Sequence, residues 1–234
     1  MKTSTLNVAT WNVHGLRGGV RAVAEVARAE AIDVLLVQES GSRRRLRELS
    51  EELGWSIVAD PPAFPRRRVQ NAVLLRTSLT GRARSRLVRF GDGSPVHPRG
   101  VLLAELNEGW TAASVHLGLR GPERGRHVGE LVALLDGSSG TFVLGGDLNA
   151  LPGEAGPARL AALGTDCWAA AGAGPGDTFP AHEPTARIDY LFAGQAFRPL
   201  RAWTAGGTVS DHLMVVAELA ITETGEDEAT VRGS

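Results

Sequence analysis

The sequence predicts a single α/β domain, of the mixed α+β kind, in which two β-sheets pack face to face with helices outside. Three observations support this prediction. About ten short segments have strand character, which is more than one open, fully parallel sheet usually contains. Helical patterns come singly and not after every strand, which argues against a repeated βα barrel. The chain has 234 residues, 43% of them hydrophobic, enough for one substantial core.

The first quarter of the chain alternates strand and helix patterns. Residues 6–13 alternate as a strand does, and "GGVRAVAEVARAEA" then spaces its apolar residues for a helix. The continuous apolar run in "IDVLLVQES" is typical of a strand covered on both faces. The segment "SRRRLRELSEELG" predicts a second helix that ends at Gly54.

Short strands dominate the rest of the chain. We predict them in "WSIVAD", "NAVLLRTS", "RSRLVRF", "GVLLAELN" and "WTAASVHLG", followed by a helix in "ERGRHVGELVALLDG" and a strand in "TFVLGGD". A short helix near residues 156–163 precedes strands in "IDYLFAG", "LRAWTAG" and "LMVVAELAIT". We assign the domain to residues 1–222. The acidic segment 223–234 has no aromatic residue, and we expect it to be disordered.

Composition excludes several classes of protein. The single cysteine, Cys167, rules out an internal disulfide framework and a cysteine-based metal site. No run approaches the roughly 18 apolar residues of a membrane span. The N-terminal segment enters a strand pattern without the features of a signal peptide. We therefore expect a monomeric cytoplasmic protein without a membrane anchor.

The charges are unevenly distributed along the chain. Up to Arg126 there are 20 basic against 12 acidic residues, and from His127 onward 5 against 14. Such asymmetry can mark a surface that faces phosphates. However, 24 of the 25 basic residues are arginine, which indicates coding bias as much as function. We expect the arginine clusters at residues 43–45 and 66–68 to be mostly solvated.

Polar side chains stand at the ends of five predicted strands. Each has an ordinary explanation as a turn residue or a strand cap, and we interpret the two glycines before Asp147 as a sharp turn at the sheet edge. Glu39 is harder to explain, because a carboxylate directly after a buried run needs a partner. Together these groups favour a hard cation, Mg²⁺ or Mn²⁺, and acid–base chemistry. The residues are Asn12, Glu39, Asp147, Asn149, Asp189, Asp211 and His212.

The motifs "TWNVHG", "LLVQES", "GGDLN", "RIDYLF" and "SDH" resemble, in this order and spacing, the endonuclease/exonuclease/phosphatase superfamily of deoxyribonuclease-I-like, metal-dependent phosphoesterases. The resemblance extends over about residues 6–219. It implies a four-layer sandwich of two mixed sheets flanked by helices. It also implies hydrolysis of a phosphate ester by in-line attack of an activated water.

The resemblance implies a metal site and a catalytic site. Glu39 would be the principal ligand of Mg²⁺, or alternatively Mn²⁺, with Asn12 nearby and Asp211 as a further carboxylate of the metal cluster.

For the reaction itself, the resemblance implies that Asp147 orients and deprotonates the attacking water. Asn149 would donate a hydrogen bond to a phosphate oxygen or to the nucleophile. His212, held by Asp189, would stabilise the charge that builds on the phosphoryl oxygens. His116 matches a family histidine that contacts the phosphate.

Three further residues match the family less specifically. Asn71 in "QNAVLLR" matches another polar position, and we expect Arg99 in "HPRGVLLAEL" to face the substrate. His14 matches only some branches of the family, and the sequence favours an ordinary loop histidine there.

These motifs determine the type of bond better than the substrate. We favour a phosphodiesterase or phosphomonoesterase that acts on an unidentified phosphate ester. A DNA or RNA endonuclease or exonuclease is the second hypothesis, and a catalytically silent binding module the third. No basic, aromatic-bearing insertion suited to gripping a duplex is visible, which argues against a duplex nuclease. Nor is there an amphipathic anchor of the kind that lipid hydrolases often carry.

Overall fold

A computed structural model describes residues 5–61, 67–79, 84–91, 96–136 and 140–222. The predicted acidic tail at 223–234 and Arg66 of the second arginine cluster lie outside these residues. The described strands are β1 (Thr5–Asn12), β2 (Val34–Gln38), β3 (Ser56–Ala59), β4 (Ala72–Leu75), β5 (Arg84–Arg89), β6 (Gly100–Glu105), β7 (Thr111–His116), β8 (Phe142–Asp147), β9 (Thr165–Asp166), β10 (Asp189–Ala193), β11 (Phe197–Ala205) and β12 (Met214–Ile221).

The described α-helices lie between these strands. They are α1 (Val20–Ala29), α2 (Arg43–Leu53), α3 (Gly121–Leu135), α4 (Ala155–Ala161) and α5 (Cys167–Ala171). Short 3-10 turns cover His14–Leu16, Thr77–Leu79 and Gly207–Val209. The sequence did not predict these turns, the two-residue β9 or the five-residue α5, because such short elements contain too few residues to show a period.

The strands form two six-stranded mixed sheets, as predicted. The first sheet has the order β11-β12-β1-β2-β4-β3, and the second has the order β5-β6-β7-β8-β10-β9. Each contains one parallel pair, β1 with β2 and β7 with β8, and α1 and α3 make the crossovers between the paired strands. All the other strand pairs are antiparallel.

The two sheets and the helices on either side form four layers, and an apolar cluster fills each of the three interfaces between them. The central cluster joins the inner faces of the two sheets, for example Val8 and Leu36 with Leu102 and Leu191. A second cluster packs the first sheet against α1 and α2, and a third packs the second sheet against α3 and α4. The predicted four-layer sandwich is therefore confirmed. Among the described residues, no helix is sufficiently long and apolar to span a bilayer.

Local sequence signals explain the ends of α2. The hydroxyl of Ser42 accepts a hydrogen bond from the backbone N–H of Arg45 at 3.3 Å, which satisfies one of the unpaired donors at the helix start. At the other end, Gly54 adopts a left-handed conformation with φ 68°, as predicted from the sequence.

The two glycines before Asp147 lie inside a strand, so the prediction of a glycine turn was wrong. Gly145 and Gly146 belong to β8. A Cβ atom at Gly145 would lie 2.8 Å from Cδ1 of Leu36 and 2.9 Å from Cβ of Thr10, in the opposite sheet. Glycine is therefore required here for the close approach of the sheets. Among residues 145–149, the positive φ is that of Asn149, with φ 49°.

We expect Gly146→Ala to destabilise the fold. A Cβ atom at this position would lie 1.9 Å from the backbone oxygen of Val115 in the neighbouring strand, so β7 and β8 must separate. Overpacking of this kind costs about 1–3 kcal/mol in the free energy of unfolding, which urea denaturation measures. Gly125→Ala, at an open position within α3 with no atom within 4 Å of the added Cβ, should instead gain about 0.5–1 kcal/mol. Equal stabilities would contradict the packing argument.

The second arginine cluster is not simply solvated. Arg68 has a side chain only 15% exposed and forms an ion pair with Asp60, whose side chain is fully buried. In the first cluster, residues 43–45, Arg43 and Arg44 are exposed as expected. Arg45 donates to the backbone oxygen of Leu16 at 3.1 Å. The expectation of free arginines was therefore wrong for Arg68, because its partner lies eight residues away in the chain, where no helical periodicity connects the two.

Candidate active site

One edge of the sandwich collects the polar residues predicted at strand ends. The parallel strands β1 and β2 end at Asn12 and next to Glu39, and the parallel strands β7 and β8 end at His116 and Asp147. Parallel partners end at the same edge of a sheet, so each pair brings two side chains together. β10 runs antiparallel to β8 and begins at Asp189, directly opposite Asp147.

A buried hydrogen-bond bridge fixes the two sheets to each other below this edge. Nε2 of Gln38, in β2, donates to Oγ of Ser114, in β7, at 3.0 Å. Oγ of Ser114 in turn donates to the backbone oxygen of Val37 at 2.8 Å. All three residues are fully buried. The bridge therefore sets the position of the end of β2 relative to the end of β7.

Asp147 lies at the centre of the site and is 2% exposed. Its Oδ2 atom accepts a hydrogen bond from Nδ2 of Asn12 at 3.1 Å. The same oxygen lies 3.3 Å from Nε2 of His116 and 3.8 Å from Nε2 of His212. Its Oδ1 atom accepts the backbone N–H of Asn149 at 2.9 Å. Both carboxylate oxygens are thus held in fixed directions.

These neighbours determine the protonation of Asp147. Burial alone would raise its pKa, but the neighbouring imidazoles of His116 and His212 and the hydrogen bond from Asn12 hold the pKa well below its usual range. The carboxylate is therefore ionised at neutral pH. An ionised, oriented carboxylate can accept a hydrogen bond from water and align it.

His212 and Asp189 form a buried pair beside Asp147. Nδ1 of His212 lies 2.9 Å from Oδ2 of Asp189, which also accepts a hydrogen bond from Oγ1 of Thr178 at 2.6 Å. Although burial opposes it, the Asp189 carboxylate raises the pKa of His212 to about 9. Burial raises the pKa of Asp189 as well. The pair therefore holds one proton tightly at neutral pH.

Packing fixes the orientation of the His212 ring. The ring of Phe179 lies 4.8 Å from the imidazole, centroid to centroid. The indole Nε1 of Trp11 donates to the backbone oxygen of His212 at 2.9 Å. Strand β1 thus holds the segment that precedes β12, and the imidazole has little freedom to rotate.

Glu39 faces an open cavity of about 260 Å³. The residue is half-buried and has φ 49°. No described residue donates a hydrogen bond to its carboxylate, whereas each oxygen of the Asp147 carboxylate accepts at least one. Other residues that line the cavity include His14, Arg17, Arg68, Gln70 and Arg99.

Asp211 lies next to this cavity and pairs with His14. Its Oδ2 atom is 3.3 Å from Nδ1 of His14, and its side chain is 43% exposed. His14 lines both the Glu39 cavity and a second cavity that contains Asp211. Its backbone N–H also donates to Oδ1 of Asn12 at 3.1 Å. His14 is thus more than the ordinary loop histidine that the sequence favoured.

His116 is held between Asp147 and Arg99. Nη1 of Arg99 lies 2.9 Å from Nδ1 of His116. A guanidinium can only donate, so Nδ1 is the acceptor and Nε2 carries the proton that faces Asp147. In this arrangement His116, which is 1% exposed, orients Asp147. Nδ2 of Asn149 donates to the backbone oxygen of Leu117 at 3.1 Å, which leaves one amide hydrogen for another acceptor.

The sequence matches a family model over residues 9–212, which is most of the chain; that model is described as the endonuclease/exonuclease/phosphatase family. The chain belongs to this family. Members of the family are phosphoester hydrolases that depend on a divalent metal.

Solved structures of the endonuclease/exonuclease/phosphatase fold superimpose over nearly the whole chain. A mannosyl-6-phosphatase from Bacteroides thetaiotaomicron has 16% identity and a TM-score of 0.78, with 92% of this chain and 100% of that one covered. D. rerio TDP2, complexed with a single-strand DNA product, has 17% identity and a TM-score of 0.72, with 92% and 99% covered. A family protein from Beutenbergia cavernae has 22% identity and a TM-score of 0.66, with 93% and 72% covered. No curated protein matches the sequence.

The structure argues against a substrate contact for Asn71. The residue is fully buried, and its Nδ2 atom donates to the backbone oxygens of Gly100 and Ser114 at 3.0 and 2.7 Å. Asn71 therefore ties β4 to the second sheet. Arg99, by contrast, lines the Glu39 cavity. Its contact with the substrate stays a prediction.

Sequence reasoning missed two residues that support the endonuclease/exonuclease/phosphatase site. Thr178 donates to Asp189, as described above, and Oγ of Ser210 donates to the backbone oxygen of Asn12 at 2.7 Å. Ser210 is the first residue of the "SDH" motif, which was a usable signal. Thr178 lies in a loop segment without periodicity, so only the folded arrangement reveals it.

Proposed function

We propose that this protein is a divalent-metal-dependent hydrolase that cleaves a phosphate ester by in-line attack of water. The observation that carries the proposal is the buried carboxylate of Asp147, which lies within 4 Å of two histidine side chains and near the cavity that Glu39 lines. Family membership supports the same reaction class. The cytoplasmic location and the monomeric state remain predictions from the sequence.

The residues around the Glu39 cavity fit a hard cation. The Glu39 carboxylate has no hydrogen-bond donor among the described residues, and Asp211 is partly exposed. Two carboxylates beside open solvent suit Mg²⁺ or Mn²⁺, because Mg²⁺ usually keeps several of its waters. We assign Glu39 and Asp211 as the protein ligands. Asn12 is less suited, since its Oδ1 atom already accepts a backbone hydrogen bond from His14.

A second group of side chains also fits a metal in number and distance. Asp147, Asp189 and His212 each offer one ligand atom within 4.8 Å of one another. However, Nδ1 of His212 is already engaged by Asp189, and all three residues are buried. Waters could not readily complete a coordination shell there. We therefore assign these three residues to proton and charge chemistry, and Glu39 and Asp211 to the metal.

The roles of the residues follow from their contacts. Glu39 and Asp211 would hold a divalent cation, which would supply positive charge next to a phosphoryl oxygen. Asp147 orients the attacking water and takes its proton. His212, protonated through Asp189, stabilises the negative charge on the phosphoryl oxygens. Asn149 donates its remaining amide hydrogen to a phosphate oxygen or to the nucleophile.

A nuclease is the second candidate function, and the lining of the cavities favours it. The Glu39 cavity shares His14 and Arg17 with the cavity at Asp211, and it shares His97 and Arg99 with a further cavity that contains Arg120. Together these cavities are lined by four arginines, Arg17, Arg68, Arg99 and Arg120, which suits a phosphate backbone. No phenylalanine, tyrosine or tryptophan is among the described lining residues of these cavities, so the usual platforms for base stacking are missing there.

A panel of substrates with and without metal tests the proposal. We expect hydrolysis of at least one among bis-p-nitrophenyl phosphate, p-nitrophenyl phosphate, plasmid DNA, single-stranded DNA and sphingomyelin. Excess EDTA should abolish the activity, and Mg²⁺ or Mn²⁺ should restore it. Preference for DNA, with a steep loss of affinity at high salt, would favour the nuclease. Full activity in EDTA would refute metal dependence.

A further inference from the structure

The backbone at Glu39 needs external support to hold its conformation. Glu39 has φ 49° and Gly41 has φ 69°. A non-glycine residue with positive φ persists only where its surroundings hold it. The segment also packs tightly against the loop that follows β1. The backbone N–H of Gly15 donates to the oxygen of Glu39 at 2.7 Å, and a Cβ atom at Gly41 would lie 2.7 Å from the oxygen of Gly15.

Residues 68–70, immediately before β4, hold this segment from the other side. The backbone N–H of Ser40 donates to the oxygen of Gln70 at 2.9 Å, and that of Gly41 donates to Oε1 of Gln70 at 3.2 Å. Nη1 of Arg68 donates to the oxygen of Gly41 at 3.1 Å. Three hydrogen bonds therefore fix the two residues that directly follow Glu39.

A buried ion pair anchors Arg68 in turn. Its Nε atom lies 2.9 and 3.1 Å from Oδ1 and Oδ2 of Asp60. The Asp60 carboxylate also accepts the backbone N–H of Gln70 at 3.4 Å, and the backbone oxygen of Asp60 accepts a hydrogen bond from Arg43. A buried charge without its partner is strongly unfavourable, so the pair locks Arg68 in one orientation.

We propose that the Asp60–Arg68 ion pair, together with Gln70, positions the Glu39 carboxylate for the metal. This inference rests on the proposed function, because it assigns Glu39 as a metal ligand. The three residues are positioning residues: they act on the backbone at Ser40 and Gly41 and through it on Glu39. Outer partners of this kind change metal affinity by about 10- to 100-fold in metalloenzymes.

The decisive measurement is Mn²⁺ affinity, obtained from the electron paramagnetic resonance signal of unbound Mn²⁺. We expect Arg68→Ala to weaken Mn²⁺ binding about 10- to 100-fold and to speed amide exchange at Ser40 and Gly41. Arg76→Ala is the matched control, since Arg76 follows β4 at its other end and pairs with Asp33 at 3.2 Å. It should leave Mn²⁺ affinity within about twofold, because no contact links this pair to residues 40–41.

A second variant keeps the proposal testable if Arg68→Ala does not fold. Gln70→Ala removes the hydrogen bond to Gly41 without leaving a buried charge, and it should weaken Mn²⁺ binding several-fold. A folded Arg68→Ala or Gln70→Ala protein with wild-type Mn²⁺ affinity would overturn the proposal. Glu39→Gln in the same assay separates the two levels of inference. If Glu39→Gln binds Mn²⁺ like the wild type, the metal assignment fails; if only Glu39→Gln loses binding, the positioning role fails alone.

Discussion

Asp147→Asn is expected to lower kcat and kcat/KM together by about 10²- to 10⁴-fold, as the loss of a group that moves a proton in the transition state does. The amide is nearly the same size as the carboxylate, but it cannot accept a proton from water. It also presents a donor to Asn12 or to the backbone of Asn149, both of which donate to the present carboxylate. Steady-state kinetics at saturating metal measure the effect.

The affinity for Mn²⁺ distinguishes this role from that of a metal ligand. Because the contacts of Asp147 are with His116, His212 and two asparagines, Asp147→Asn should keep the affinity for Mn²⁺ within about threefold. Asp136→Asn, at the exposed end of α3, is the control and should leave both quantities unchanged. Wild-type kcat, or a large loss of Mn²⁺ binding, would show that Asp147 is misassigned.

The second large effect is expected for Glu39→Gln. This variant should lose Mn²⁺ affinity by about 10²-fold or more and with it nearly all activity, since a neutral amide oxygen replaces the charged ligand that a hard cation prefers. No described residue donates a hydrogen bond to the Glu39 carboxylate, so the free energy of unfolding should barely change.

Raising the Mn²⁺ concentration provides the check on this prediction. Activity of Glu39→Gln should recover in part at millimolar Mn²⁺, whereas Asp147→Asn should not recover. Thermal unfolding with and without Mn²⁺ gives a readout independent of activity, because a ligand that binds only the folded state raises Tm. An unaltered metal-induced rise in Tm in Glu39→Gln would exclude Glu39 as the principal ligand.

The sequence predicted most of the fold because most elements carry a clear period. Strand β2 reads as buried because its first four residues are all apolar, and α2 has a serine at its start and a glycine at its end. The position of the site at one sheet edge was also predictable, since the polar residues follow or precede strands. Both predictions, of the elements and of the position of the site, depend only on residues that are neighbours along the chain.

Features that depend on neighbours in space were not predictable. Gly145 is required by the side chains of Thr10 and Leu36 in the other sheet, and no local pattern distinguishes such a glycine from a turn glycine. Likewise, Arg68 carries the same local signal as its exposed neighbour Arg67. Only the fold brings Asp60 to it. Asn71 was assigned to the substrate from its motif position, while the structure uses it as a tether between sheets.

The position of β12 has a consequence for the chain while it is being synthesised on the ribosome. β12 is a late strand in the chain, yet it lies between β1 and β11, and Trp11 binds a residue 201 positions away. At about 5–20 residues per second, roughly 10–40 s of translation separate the two. Throughout that time β1 lacks a neighbour on one edge, and the backbone oxygen of Asn12 lacks its hydrogen bond from Ser210. A nascent or prematurely stopped chain is therefore both catalytically inert and exposed to aggregation or proteolysis.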